Sequence, residues 1–363
     1  MATQAQSMAD VHVGSAGPAA AARGNVRRLI LHADDFGFNQ AVTEGVLRGF
    51  RNGLLTSTAV LSNAPAAAEA LAAWKHLLVQ WQQQMWPSAA ARRLLGDPPL
   101  PPDLGVHLNL TQGRPLSGSR YPAELLDAGG CFPGVWKLFF RMRHPAPAVL
   151  AAVKRELSQQ IEYVLDHGIR PTHLNGHQYI ELIPAIAELL PQLFDRYRIP
   201  VARSAVEPAL FGSTVLAGFG PWVWLLGQVK RYYAQRQRSR LANLGLAFPD
   251  VLFGTVHAGR ICSTRLVQKY LRVCEDAKYV EIVLHPGEEF RAEAVPASGG
   301  DQAWRDPLGW KRPAEARLLV SAELVQCIAA SGRRLGRLQQ LSPSASEPSR
   351  LPDQPACPGV KHR

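Results

Sequence analysis

Cysteine is sparse in this chain of 363 residues: the five present (Cys131, Cys262, Cys274, Cys327 and Cys357) are scattered, odd in number and form no Cys-x-x-Cys pair. That excludes a cysteine-based metal site and a disulfide scaffold, and it points to a reducing compartment. No apolar run reaches the roughly 18 residues of a membrane-spanning helix. No Gly-x-Gly-x-x-Gly follows the first apolar strand, so a dinucleotide role has no support. The Ala/Gly-rich stretch ahead of Val26 lacks a basic start followed by an apolar segment, and it reads as a flexible leader rather than a secretory signal. A cytoplasmic setting is expected, with peripheral contact at the inner membrane face left open.

Acidic residues are also in deficit, 29 against 40 basic ones, which gives a net charge of +11. An anionic neighbour or a basic solubilising surface would each account for it. Part of the excess is expected at the periphery, with six basic and two acidic residues from Arg333 onward. No aromatic-basic motif of a nucleic-acid module is present, so nucleic acid is not an expected partner. An apolar content of 47% with 19% charged residues describes a globular protein with a substantial core.

Strand and helix signals alternate along the chain. Val26–Ala33 reads as a buried parallel strand, and Asn39 as the cap of a helix closed by Asn52-Gly53. Further strands are expected over 54–62, 104–110, 172–174, 200–203, 251–255 and 279–284. Helices are expected over 147–167, 184–197, 264–275 and 313–331, and 80–102 as a surface excursion. The alternation predicts an α/β fold, an irregular parallel (β/α) barrel in a single domain over 27–335, with flexible tails at 1–26 and 336–363.

The interesting polar groups all follow strands, at the edge where parallel α/β folds collect their chemistry. Asp34 and Asp35 end the first strand; adjacent carboxylates repel unless a cation intervenes or one is protonated. One could hold a metal while the other works as a base. His107 and Asn109 point to one side of their strand by alternation. His173 and His177 are four apart, but Asn175-Gly176 argues against a continuous helix. His177 is therefore the favoured ligand, and His173 a second ligand or an orienting neighbour. One aspartate with two or three histidines suits one divalent ion, Zn2+ in preference to Mg2+, which favours oxygen. His285 ends another apolar strand and is the candidate acid, with His257 as its alternate. Arg203 and Glu207 follow a further strand, where they could position substrate or form a surface ion pair.

These residues resemble the YdjC/ChbG-like carbohydrate deacetylases and, within them, the deacetylases associated with hopanoid biosynthesis. The matching pieces are His32-Ala33-Asp34-Asp35-Phe36-Gly37, Asn52-Gly53-Leu54-Leu55-Thr56-Ser57, Gly105-Val106-His107-Leu108-Asn109-Leu110, Thr172-His173-Leu174-Asn175-Gly176-His177-Gln178, Arg203 with Glu207-Pro208, and Leu284-His285-Pro286-Gly287. The resemblance implies an irregular β/α barrel that removes an N-acetyl group from an amino sugar with a divalent cation. It further implies Asp34 as catalytic carboxylate and Asp35, His107 and His177 as ligands. Where family members carry further histidines, this chain has Tyr179 and Glu181.

The hopanoid branch implies a lipid-linked acetylglucosaminyl substrate rather than a free small molecule. One stretch agrees: apolar Phe219–Leu226 joined to the basic run Lys230–Arg240 could lie on an anionic membrane. An amphipathic helix packed on the barrel is the plainer alternative. Another metal hydrolase, such as a phosphoesterase, and an inactive sugar- or lipid-binding barrel are the rival functions. The oligomeric state is left open.

Overall fold

The run Leu29-Ile30-Leu31 is fully buried at the centre of strand β1 (Arg28–Phe36) in the computed structural model, as expected for a parallel strand covered on both faces. The structure describes residues 26–52, 54–83, 89–95, 101–210, 220–289 and 304–342. After β1 come α1 (Gln40–Arg51), β2 (Ser57–Val60), α2 (Ala67–Gln82), α3 (Ala89–Leu95), β3 (Asp103–Leu108), α4 (Val135–Arg141) and α5 (Pro147–Asp166). Next are β4 (His173–Gly176), α6 (Pro184–Ala187), α7 (Leu190–Tyr197), β5 (Val201–Ala202) and α8 (Pro221–Ala242). The chain continues through β6 (Val251–Phe253), α9 (Thr264–Val273), β7 (Tyr279–Leu284), α10 (Arg312–Leu319), α11 (Ala322–Ala330) and β8 (Arg334–Leu335).

All strand pairs are parallel, in the order β5-β4-β3-β2-β1-β7-β6. Strand β8 takes the start of the β1 edge, pairing Arg28 with Arg334 and Leu29 with Leu335, below the stretch that β2 occupies. Among the described residues the sheet curls without closing through strand pairs. Between its two ends, Ala202 N–H donates to Ala247 O at 3.1 Å and Leu252 N–H to Val206 O at 3.2 Å. The result is the barrel-like α/β architecture that the alternating signals predict.

Helix α1 forms where expected because Asn39 accepts from Val42 N–H at 2.8 Å, while Val42, Val46, Leu47 and Phe50 bury one face. Trp74 of α2 meets Phe36 and Phe50 edge-on under that face. The segment expected as one helix over 184–197 is two, because Pro191 in the first turn of α7 cannot continue α6. That expected over 313–331 is also two, with Ser321 capping the second by accepting from Leu324 N–H.

Two further expectations need correction. The described part of the 80–102 excursion is not wholly peripheral, since Ala91, Leu94 and Leu95 of α3 join the main core; residues 84–88 and 96–100 lie outside the described residues. The fold also continues past 335: Leu338 is buried, and the buried Arg337 guanidinium lies 5.1 Å from the Trp81 ring centre. Buried Arg333 donates to the carbonyls of Cys274, Glu275 and Ala277, so this part of the basic excess is structural. The leader through residue 25 and residues 343–363 lie outside the described residues.

One buried clamp positions the loop after β3. The Glu156 carboxylate on α5 accepts from Leu116 N–H at 3.0 Å and Ser117 N–H at 2.8 Å, and from Gln160 Nε2. Gln160 in turn bonds both the N–H and the carbonyl of Asn109. Glu156→Ala would leave two loop N–H groups and the Gln160 amide without this acceptor in a water-poor interior. The expected cost is about 3 kcal/mol of stability, read as a lower urea midpoint at unchanged slope.

Candidate metal centre

Successive side chains on a strand point to opposite faces, yet Asp34 and Asp35 both enter one buried site. The reason is a bulge. The β1–β2 register slips between Ala33 and Phe36, and Asp35 sits at φ 66°, a left-handed conformation that costs energy for a residue with a Cβ. Gly37, at φ 86°, completes the turn. Neither carboxylate caps the following helix, a task that Asn39 performs.

Three donor atoms converge on the open side of the bulge. His177 Nδ1 lies 3.0 Å from Asp35 Oδ1, His107 Nε2 lies 3.5 Å from the same oxygen, and the two nitrogens are 3.3 Å apart. Metal bonds of about 2.0–2.1 Å place neighbouring donors about 3.3–3.4 Å apart in a tetrahedral site and about 3.0 Å in an octahedral one. The spacing therefore fits a single small cation. Charge agrees. Among the described residues Arg203 is shared by Asp34 and Glu281, and Arg312 by Asp35 and Asp306, an excess of carboxylate over guanidinium that suits a cation.

The surroundings fix the donors. Asn175 Nδ2 donates to Asp34 Oδ1 at 2.9 Å, so its Oδ1 faces His107 Nδ1, also at 2.9 Å, and accepts a proton there. His107 Nε2 is thereby left with its lone pair toward the donor cluster. Arg312 Nη2 holds Asp35 Oδ2 at 2.8 Å, leaving Oδ1 for the ion. The Gln112 side-chain amide lies 3.3 Å from His177 Nε2, and its Oε1 accepts from Arg305 N–H.

Asp34 stands beside the triad and is held separately. Arg203 Nη1 donates to its Oδ2 at 2.7 Å, and His32 Nε2 lies 3.1 Å from its Oδ1. Glu281 anchors Arg203 from behind, its Oε1 accepting from Nε and Nη2 at 3.1 and 2.9 Å. Burial favours the acid form of Asp34, but Arg203, His107 and His32 outweigh it and hold the carboxyl well below the usual range. For Asp35, burial is likewise overcome by Arg312, His177 and His107.

The other candidates separate. His173 is buried but is not one of the three donors: its ring packs on Gly105, edge-on to His32, and Nδ1 meets the Thr172 hydroxyl. A Cβ at position 105 would collide with that ring, which explains the glycine before Val106. Arg203 and Glu207 are both buried, so the alternative of a surface ion pair between them is overturned. Glu207 instead accepts from Gly254 and Val256 N–H and shapes the loop after β6. His257 accepts from or donates to the Tyr270 hydroxyl at 2.6 Å and stacks on that ring. His285 is buried near the aspartates, with its backbone N–H bonded to Glu315, and burial pulls its imidazole down to about 4.

Several groups at the centre carried no readable signal in the sequence. Arg312 and Glu315 lie one turn apart on α10; one reaches Asp35 and the other the His285 backbone. Asn175, Gln112 and Glu281 were equally unmarked. Asn175 alone could have been found, because strand alternation from His173 turns it to the same face.

A family model described as YdjC-like protein matches residues 28–330. The chain belongs to the YdjC-like family. Proteins named carbohydrate deacetylase from Mus musculus and Homo sapiens are each 28% identical to this YdjC-like chain over 331 residues. Those matches cover 86% of this chain and 94% and 91% of the relatives. A protein of the same name from Geobacillus stearothermophilus is 31% identical over 175 residues, covering 48% of this chain and 59% of its own. A crystal structure of a proposed cellobiose-phosphate cleavage protein from Enterococcus faecalis superposes with a TM-score of 0.62 at 22% identity, over 87% of this chain and 99% of that one. At that identity the likeness concerns the fold.

The site predicts a pH-dependent ion affinity. Burial lowers the pKa of His107, but Asp34 and Asp35 more than offset this, so in the ion-free YdjC-like chain it is raised above 6.5. A proton on Nε2 competes with the ion there. Zn2+ affinity, measured by chelator competition, is expected to fall as pH drops, starting above 6.5 and steepening below it. A flat profile between pH 8 and 6 would contradict the ligand set.

Proposed function

We propose that this YdjC-like chain is a carbohydrate N-deacetylase, a hydrolase of the linear amide C–N bond of an N-acetylglucosaminyl substrate, which works with one divalent cation. The observation that carries this reading is the division of labour between neighbouring carboxylates: Asp35 faces the two imidazoles, while Asp34 stands apart on Arg203 and Asn175. The names of the relatives support acetylated sugar as the substrate class. Two imidazoles with one carboxylate favour Zn2+ over Mg2+.

Asp35, His107 and His177 would hold the ion, which when bound supplies Lewis-acid polarisation and an acidified water. Asp34 takes the proton from the water that attacks the acetyl carbonyl carbon, and Arg203 keeps Asp34 ionised and aimed until then. His285, neutral at rest, accepts the proton that Asp34 took from the water and passes it as imidazolium to the nitrogen as the C–N bond breaks, which returns the ring to neutral. Acetate and the free amine are the products. Of the other candidates, Arg203 acts through Asp34, and Glu207 through the loop it holds.

We further infer that the amino sugar is lipid-linked, a glycosylated hopanoid being the candidate. Its support is the motif resemblance to the hopanoid-associated branch.

Asp34→Asn is expected to retain the ion and lose about 10²–10⁴ in kcat for acetate release, whereas His107→Ala loses both ion and turnover. Metal analysis with an acetate assay on chitobiose and on an N-acetylglucosaminyl lipid reads both; near-full rate in Asp34→Asn would refute the base assignment. His285→Ala is expected to slow the amide by about 10²-fold or more while sparing an aryl acetate, whose leaving group needs no proton. Equal losses on the two substrates would remove His285 from the acid role.

A further inference from the structure

Helix α8 joins the core only in part. Toward the body it sets mainly small and polar residues, with Tyr233 half-buried and Leu241 in the core near its end. Gly227 lies against Val256, Ala234 joins Leu182 and Ala205, Gln237 donates to Glu181 O at 2.8 Å, and Arg238 donates to the carbonyls of Pro249 and Asp250. Four large apolar residues face outward: Trp222, Leu225, Val229 and Tyr232 are 65%, 44%, 47% and 59% exposed. Their spacing of three, four and three residues places them on one stripe, about 15 Å long at 1.5 Å per residue. Arg236 and Arg240 continue the same line, and 221–242 contains no acidic residue.

We propose that this outer face of α8 seats in the headgroup layer of an anionic bilayer. A stripe of Trp, Leu, Val and Tyr ending in arginines combines the aromatic-apolar anchor and the cationic flank that interfacial helices use. A second copy of the chain is a poorer occupant. Arg240 has Glu188 of its own chain at 3.7 Å, but two such faces would still bring four arginines together with no carboxylate on either helix, whereas a bilayer supplies the anions. The basic run as a whole is not the anchor: Lys230 turns inward over the Tyr179 ring, 4.5 Å from its centre, and Arg238 faces the body. That inward contact links the surface to the site, because Tyr179 follows the ligand His177 by two residues. The inference deepens the lipid-linked reading and rests on it for the substrate alone.

The test is flotation of the full chain with phosphatidylcholine vesicles, with and without phosphatidylglycerol. Recovery is expected only on the anionic vesicles. The variant Trp222→Ser/Leu225→Ser/Val229→Ser should lose roughly tenfold or more of the bound fraction, and Arg236→Gln/Arg240→Gln should weaken binding and flatten its salt dependence. Both variants should release acetate from a soluble N-acetylated sugar at the parent rate, which checks their folding. The inference is overturned by no recovery on anionic vesicles, equal recovery on both vesicle types, undiminished binding by the apolar variant, or a dimer in light scattering that the apolar variant dissolves. Vesicle binding without acetate release from any N-acetylated sugar would leave the membrane inference standing and refute the deacetylase.

Discussion

Two carboxylates from consecutive residues, buried side by side, are the constraint around which this molecule is arranged. In a low-dielectric interior they repel strongly, and each must be paired or neutralised. The fold brings a guanidinium to each: Arg203 from beyond β5 to Asp34, and Arg312 from α10 to Asp35. Each guanidinium is itself shared with a second carboxylate, Glu281 or Asp306. Each guanidinium therefore serves two carboxylates, and the remaining negative charge suits a bound cation. Without it, a proton on His107 is the nearest substitute, which is why that imidazole is raised although burial alone would lower it.

The same arrangement separates two roles that identical side chains could otherwise exchange. Arg312 occupies the outer oxygen of Asp35 and leaves the inner one among the imidazoles. Asp34 has one oxygen on Asn175 and the other on Arg203, so its orientation is fixed before substrate arrives. Asn175 ties the two roles together, since one amide bridges Asp34 to His107. Preorganisation of this kind is what a hydrolytic site needs, because the geometry is set during folding rather than during turnover. The strain at Asp35 belongs to it: a left-handed residue in the middle of a buried strand end persists only where its neighbours hold it there.

Much of this was legible in the chain. Apolar runs closed by Asp34-Asp35, His107 and His173 to His177 identify strand ends in an alternating α/β pattern, and helix α1 announces itself through Asn39. Legibility stopped where partners are remote. Arg312 lies 277 residues from Asp35 and Arg203 lies 169 from Asp34, separations at which no local period or spacing operates. The short strand β8 and the burial of Arg333 and Arg337 were hidden for a related reason. A basic tail reads as solvated unless the carbonyls and the tryptophan that receive it are known. The outer stripe of α8 was masked because the contiguous run Trp222–Leu226 and the basic cluster look alike from either side until the packing partners appear.

Residue chemistry and periodicity by themselves determined the parallel α/β plan, the strand ends that carry the polar groups, and a pool of ion-binding candidates in Asp34, Asp35, His107, His173 and His177, because these depend on neighbours within a few positions. Tertiary structure alone decided which aspartate faces the imidazoles, that His173 packs against Gly105 instead of joining them, and which guanidinium serves which carboxylate. Those outcomes depend on a bulge in β1 and on charges arriving from distant segments, and burial makes such long-range electrostatics strong only once the chain has closed around them.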